Sequence, residues 1–272
     1  FTLASALESK EIKIDTEFKN LPKAIYCGGR PIREYDDNIP SNLTAQEILI
    51  RSGNIGSVRI AQKIGKEKFS FFLKKIGILD RIEFELEEVG TPIPVKWGKC
   101  KLATSSFGHG ITTTILQLAK GYSIIANGGY NIKPTLLKNK DSNILKERIL
   151  NEKISNKVNS ILRKIVSSKS GTANLADVQG YQIGGKTGTA QKSINGIYTK
   201  DKINTFVGVF PIYRPKFVLV VMLDRPQINK DYIYEYRDGS NFKLKGPPRN
   251  TAGWTTVEVT GKILEKIGPI LA

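Results

Sequence analysis

The segment Gly184-Gly-Lys-Thr-Gly-Thr-Ala190 most narrows what this chain can fold into, because three glycines and one lysine in an alternating run suit a strand far better than a helix. With its neighbours it predicts three strands, over residues 181–190, 205–210 and 217–223. They are joined by Asn195-Gly196 and by residues 211–215, which begin and end in proline, and such turns favour antiparallel pairing. The glycines let another backbone approach closely, and Lys186 offers a fixed positive charge to a carboxylate. Alternation places Lys186 and Gly188 on one face and Thr187 and Thr189 on the other.

Before this sheet the chain reads as mostly helical. Thr44-Ala-Gln-Glu47 has capping-box spacing and opens a helix through Ile48, Leu49 and Ile50, which should stop at Ser52-Gly53-Asn54. Residues 55–64 predict a second helix, and Phe69, Phe72, Leu73 and Ile76 a third that ends at Gly77. Residues 111–126 predict an amphipathic helix closed by Asn127-Gly128-Gly129, and residues 151–166 another, with Ile154, Val158, Ile161, Leu162 and Ile165 on one face. Residues 23–27 and 31–35 flank Gly28-Gly29 as a hairpin, and a last helix spans 257–267 after the basic loop 243–249. Without an internal repeat or a linker, the expectation is one α/β (α+β) domain over residues 1–272, an antiparallel sheet flanked by helices. The only methionine is Met222, and Phe1 lies inside an apolar helical pattern with Leu3, Ala4 and Leu7, so the chain is expected to be an excerpt of something longer.

Lys and Arg number 42 against 25 Asp and Glu, a formal charge of +17 that draws polyanions to the surface. The basic residues, Lys63, Lys66, Lys68, Lys74 and Lys75, then Lys133, Lys138 and Lys140, lack the interleaved aromatics on which single-stranded bases stack, so no nucleic-acid partner is expected. Cys27 and Cys100 form no CxxC pair and His109 is the only histidine, so a structural zinc site lacks its usual ligands and no metal is expected. The two cysteines read as a disulfide if the compartment is oxidising, and at least as readily as two buried thiols. No apolar run reaches the roughly 18 residues of a bilayer span.

Two motifs are decoys. Gly180-Tyr-Gln-Ile-Gly-Gly185-Lys186-Thr187 matches the phosphate-cradling G-x-x-x-x-G-K-[ST], but a P-loop needs a helix after it, and Gly188 to Gly196 reads as strand and turn. Ser240-Asn-Phe-Lys243 matches S-x-x-K, but it follows Asp238-Gly239 in a polar loop, with no helix to bring lysine onto the serine's face.

The remaining motifs point elsewhere. An S-x-N triplet, Ser52-Gly-Asn54, followed far downstream by K-T-G, Lys186-Thr-Gly188, belongs to the β-lactamase and penicillin-binding constellation. In their order, Ser52-Gly-Asn-Ile-Gly56, Ser106-Phe-Gly-His-Gly110 with Leu116-Gln-Leu118, Asn127-Gly-Gly129, Ser170-Gly-Thr-Ala173, Gly185-Lys-Thr-Gly-Thr-Ala-Gln191 and Thr251-Ala-Gly-Trp254 resemble the transpeptidase domain of class B penicillin-binding proteins. Gly108-His-Gly110 is more similar to the cell-division (septal) member than to the elongation member. Ile115 stands where the family usually has proline, and the nucleophilic S-x-x-K is missing from its place, which in the family lies just before the stretch resembling Phe1 to Glu8.

The resemblance implies a β-lactamase-like fold and a serine D,D-transpeptidase without cofactor. An absent serine would attack a peptidoglycan stem peptide, expel D-alanine and pass the acyl group to a neighbouring amine. Ser52 would relay the proton and Asn54 hold the substrate amide. Lys186 would orient Ser52 and favour the substrate carboxylate, which Thr187 and Thr189 would bond, with Gly188 between them and the Thr189 amide in the oxyanion hole. It also implies β-lactams as ligands, division membrane proteins as partners, a periplasmic setting, and anchoring by an upstream segment. Read without it, Ser52 is a helix cap, Asn54 a turn residue, Lys186 a solvent-facing strand lysine and His109 a loop residue of the cleft wall. A non-catalytic wall- or partner-binding remnant of the family is the alternative.

Overall fold

Thr44 closes the predicted capping box: its hydroxyl accepts the Glu47 amide and its own amide donates to Glu47 Oε2 at 2.8 Å. The helix that leads into Ser52 therefore starts where local chemistry sets it. This is seen in a computed structural model that describes residues 1–138, 144–194 and 197–271 and divides into two compact units, Phe1–Val158 and Asn159–Ala272. The expected turn at Asn195-Gly196 lies outside the described residues.

In the first unit the order is α1 (Thr2–Glu8), β1 (Glu17–Phe18), β2 (Ala24–Cys27), β3 (Arg30–Arg33), β4 (Leu43–Thr44), α2 (Ala45–Ile50), α3 (Asn54–Ile64), α4 (Lys66–Lys75), α5 (Lys101–Ser106), α6 (Ile115–Ala126), β5 (Tyr130–Ile132) and β6 (Ile144–Arg148). α3 is the hub, in contact with α1, α2, α4 and α5, and its Ile55, Val58 and Ala61 are fully buried. Burying such side chains contributes about 1.5–3 kcal/mol for each large aliphatic one. β2 and β3 form the expected hairpin, paired from Ala24 with Arg33 to Cys27 with Arg30. The helix expected from residue 111 begins only at Ile115, because Thr114, itself extended, forms a second capping box with Gln117 that leaves residues 111–114 outside the helix.

α7 (Glu152–Ser167) begins in the first unit and ends in the second. The second unit continues with β7 (Gly184–Ile194), β8 (Ile197–Phe210), β9 (Phe217–Asp224), β10 (Ile233–Glu235), β11 (Lys243–Lys245) and α8 (Thr256–Leu271). β7, β8 and β9 form an antiparallel sheet in chain order, as expected, with β7 at its edge. β7 starts at Gly184 rather than at residue 181, since Gln182 adopts φ 46° and breaks the extended run. β8 starts earlier than expected because its polar first half pairs with β7. α8 packs against β8 and β9, with its own Val257 and Leu264 fully buried.

Cys27 and Cys100 are joined in a disulfide, which settles the alternative left open by the sequence. It ties the tip of the β2–β3 hairpin to the start of α5. Among the described residues no helix is long and apolar enough to cross a membrane.

Candidate active site

Ser52 occupies the joint between α2 and α3 at φ 58°, a left-handed conformation few non-glycine residues adopt. Its amide donates to Leu49 O (3.2 Å) and that of Gly53 to Ile48 O (2.9 Å), so the end of α2 shapes the turn. The helix-cap reading of Ser52 does not hold: Gly53 is the residue preceding α3 and has no side chain to cap it. Three consecutive residues at the end of the hairpin hold the turn instead. Arg33 O accepts from Asn54 Nδ2 (2.8 Å), Glu34 accepts the Asn54 amide on Oε2 (2.6 Å) and the Ile55 amide on Oε1 (3.0 Å), and the Tyr35 hydroxyl donates to Arg51 O (3.0 Å). Burial raises the Glu34 pKa, while the two amides and the Lys23 charge act in the opposite sense.

His109 follows α5 in a loop with Gly108 at φ 86° and Gly110 at φ 76°, pinned by Lys101 Nζ donating to Gly110 O. Its ring stacks on Phe107, with centroids 6.1 Å apart. Burial and the Lys101 charge hold its pKa below the ordinary value, which favours the neutral imidazole.

In the second unit, β7 carries the lysine and both threonines. Lys186 is only partly exposed, so the reading of a solvent-facing lysine fails; its Nζ donates to Thr187 O (3.1 Å) and Thr187 Oγ1 (3.3 Å). Burial brings its ammonium down to about 8. Thr187 Oγ1 shares a hydrogen bond of 2.8 Å with Thr172 Oγ1 in the Ser170-Gly-Thr-Ala173 loop. Thr189 Oγ1 accepts the Ala252 amide (2.9 Å) of the Thr251-Ala-Gly-Trp254 loop. Alternate residues of one strand thus grip two different motif loops.

The three glycines of β7 divide by role. A Cβ on Gly185 would lie 2.4 Å from both Phe206 Cζ and Val207 O, and one on Gly184 within 3 Å of Ile212 and the Arg163 amide. Those two serve the protein's own packing. At Gly188 a Cβ would meet nothing nearer than 3.9 Å, so this glycine alone leaves room for an incoming backbone.

The structure therefore gathers Lys186, Thr187, Gly188 and Thr189 with two loops of the second unit, and Ser52 and Asn54 with Arg33 and Glu34 in the first. Glu34 and Thr172 are contributors that sequence reasoning gave no role; Glu34 acts across 20 positions, beyond any local pattern. Both decoys fail as expected. Lys186 and Thr187 run on in a strand rather than into a helix. Ser240 lies in a turn, its hydroxyl accepting the Phe242 amide, while Lys243 pairs with Glu235 between β10 and β11. No group of three or more His, Cys, Asp or Glu among the described residues is placed to hold a metal.

Comparison with known proteins accords with this constellation. The probable peptidoglycan D,D-transpeptidase FtsI of Caulobacter vibrioides is 28% identical over 282 residues, covering all of this chain and 45% of that protein. Penicillin-binding protein PbpB of Mycolicibacterium smegmatis is 31% identical over 247 residues, covering 83% of this chain and 38% of that protein. The chain thus spans less than half the length of these curated relatives. Among solved structures, the apo TP domain of Burkholderia pseudomallei penicillin-binding protein 3 superposes with a TM-score of 0.83 at 25% identity, covering all of this chain and 77% of that one. The family model described as the penicillin binding protein transpeptidase domain matches residues 1–241, and the chain belongs to that family.

Proposed function

We propose that this chain carries the substrate-binding and proton-handling residues of a septal peptidoglycan D,D-transpeptidase whose acylating serine is not among its 272 residues. The single observation that carries the reading is the edge strand β7, where a partly buried lysine, two anchored threonines and an open glycine follow one another. A stem peptide ending in D-Ala-D-Ala lies along this edge as an added strand. Because Thr189 Oγ1 already accepts the Ala252 amide, its own proton is free to be donated to the terminal carboxylate. Thr187 donates likewise when Thr172 Oγ1 is the donor of their shared bond, beside the Lys186 ammonium, whose charge favours that carboxylate.

The serine attacks the penultimate carbonyl, and the oxyanion is met by the serine's and Thr189's amides. The bond to the last D-alanine breaks, Ser52 passes a proton to the departing amine, and an amine of a neighbouring peptide then takes the acyl group. Asn54 holds the substrate amide. The Cys27–Cys100 disulfide supports an oxidising, periplasmic setting. Division membrane proteins are the partners of such an enzyme, and β-lactams its inhibitors.

The test is labelling of the full-length gene product with fluorescent penicillin. The adduct is expected on a serine outside residues 1–272, with Lys186→Ala slowing acylation by about tenfold or more while the fold persists. A product that folds yet takes no label would instead favour a non-catalytic, wall-binding member of the family. An adduct on Ser240 would sink the assignment of the nucleophile.

A further inference from the structure

We propose that Glu34 is a positioning residue for acyl transfer: bound to the Asn54 and Ile55 amides, its carboxylate fixes the turn that presents Ser52 and Asn54 to the reacting groups. The inference rests on the transpeptidase reading above and adds to it a residue outside every motif.

A helix beginning at Asn54 leaves its first amides without internal partners, and ordinarily the side chain of the residue before it would accept one of them. Here that residue is Gly53, and the acceptor comes from 20 positions upstream. A Cβ on Gly53 would fit in ordinary contact with the Glu34 carboxylate, 3.6 Å from Oε1 and 3.9 Å from Oε2, so the remote carboxylate already sits where a side chain at position 53 would reach to cap the helix.

A remote carboxylate can do what a local cap cannot. It fastens the Ser52 turn to the hairpin, and its neighbours fasten it twice more, through Arg33 O to the Asn54 side chain and through the Tyr35 hydroxyl to Arg51 O. The other end of the hairpin is held to α5 by the Cys27–Cys100 disulfide. Ser52 at φ 58° needs such over-determination, because a left-handed serine relaxes unless its surroundings forbid it. The arrangement is not the cheapest for stability, since burial works against the carboxylate's charge. A misplacement of about 1 Å in a proton-relaying group slows chemistry by about a hundredfold, whereas the Asn54 side chain keeps its own hold on Arg33 O without Glu34. Glu34 therefore acts on the rate of the chemical step.

The test uses the full-length gene product and resolves penicillin acylation into the non-covalent binding constant and the acylation rate constant. Glu34→Gln keeps the shape but turns an amide NH2 toward one of the two backbone amides. Its acylation rate constant is expected to fall tenfold or more, with binding within twofold of wild type. Asn151→Ala is the control: it removes the bond from the Lys153 amide that caps α7 and should lower the melting temperature while acylation is unchanged. If Glu34→Gln acylates at the wild-type rate, or if both variants slow acylation equally, Glu34 is a structural cap and the proposal is overturned. Should Glu34→Gln fail to fold, Glu34→Asp retains the charge on a shorter arm. A threefold or larger fall in its acylation rate supports the proposal, and an unchanged rate overturns it. If wild type takes no penicillin, the transpeptidase reading itself fails and takes this inference with it, a result distinct from any difference between variants.

Discussion

Lys186 shows what a residue's neighbours in sequence can and cannot say about it. Its place in K-T-G was legible from spacing alone, and so was its charge; its burial was not, because burial comes from packing that the alternation of β7 does not encode. That burial has a consequence that can be measured. With its pKa lowered to about 8 by burial, the folded protein releases this proton near pH 8, whereas the unfolded chain keeps it until the ordinary lysine range. Below about pH 8 both states carry the charge and the cost of burying it is present in full. Between about pH 8 and 10.5 the unfolded chain binds more protons, so stability rises with pH. Lys186→Met should accordingly melt higher than wild type at pH 7, with the gap closing as pH rises through that window; melting curves that stay parallel from pH 7 to 10 would refute the shift. Acylation by the full-length product should decline above about pH 8, and Lys186→Arg, which stays charged, should move that decline upward.

At the scale of elements, β7 joins fold and function in one strand, and its glycines separate them experimentally. Gly185→Ala places a methyl 2.4 Å from Phe206 Cζ and Val207 O, a clash with backbone that should cost about 1–3 kcal/mol or more. Gly188→Ala meets only Thr205 at 3.9 Å and should change stability by about 0.5 kcal/mol or less, yet it stands where a substrate strand would lie. The expected pattern is a large fall in melting temperature with Gly185→Ala, and slowed acylation at nearly normal stability with Gly188→Ala. Equal effects on both quantities would contradict the division of roles. Sequence could not draw this line, since a strand's own pattern does not reveal which neighbour crosses each residue. For a related reason the β1–β4, β5–β6 and β10–β11 pairs and α5 escaped notice: at two to six residues each they are too short for a period to register. The 16-residue α7 was legible nearly to its ends from its period and the six-residue α2 from its capping box, and the late start of α6 followed from Thr114 and Gln117, the same chemistry at a box the periodicity had obscured.

On the scale of the whole molecule, the disulfide and the division into units make a joint claim. Cys27 and Cys100 both lie in Phe1–Val158, 73 positions apart, and a bridge closing a loop of that size stabilises a fold by about 2–4 kcal/mol. The same bridge anchors the hairpin whose far end holds Ser52 and Asn54, so its loss should be felt first in that unit. Stability in proteins is lost in cooperative pieces rather than evenly, and a unit with its own core and its own cross-link is a natural piece. Hydrogen exchange on the reduced protein should therefore show amides of α3 and of the β2–β3 hairpin losing protection, while those in the β7–β8 and β8–β9 ladders, in a unit without cysteine, keep theirs. Equal loss of protection in the β7–β9 sheet would mean that the chain unfolds as one cooperative body and that the two units are only a feature of its contacts. Confinement to residues 1–158 would mean that a reducing environment acts on the Ser52 turn while leaving the Lys186 strand formed.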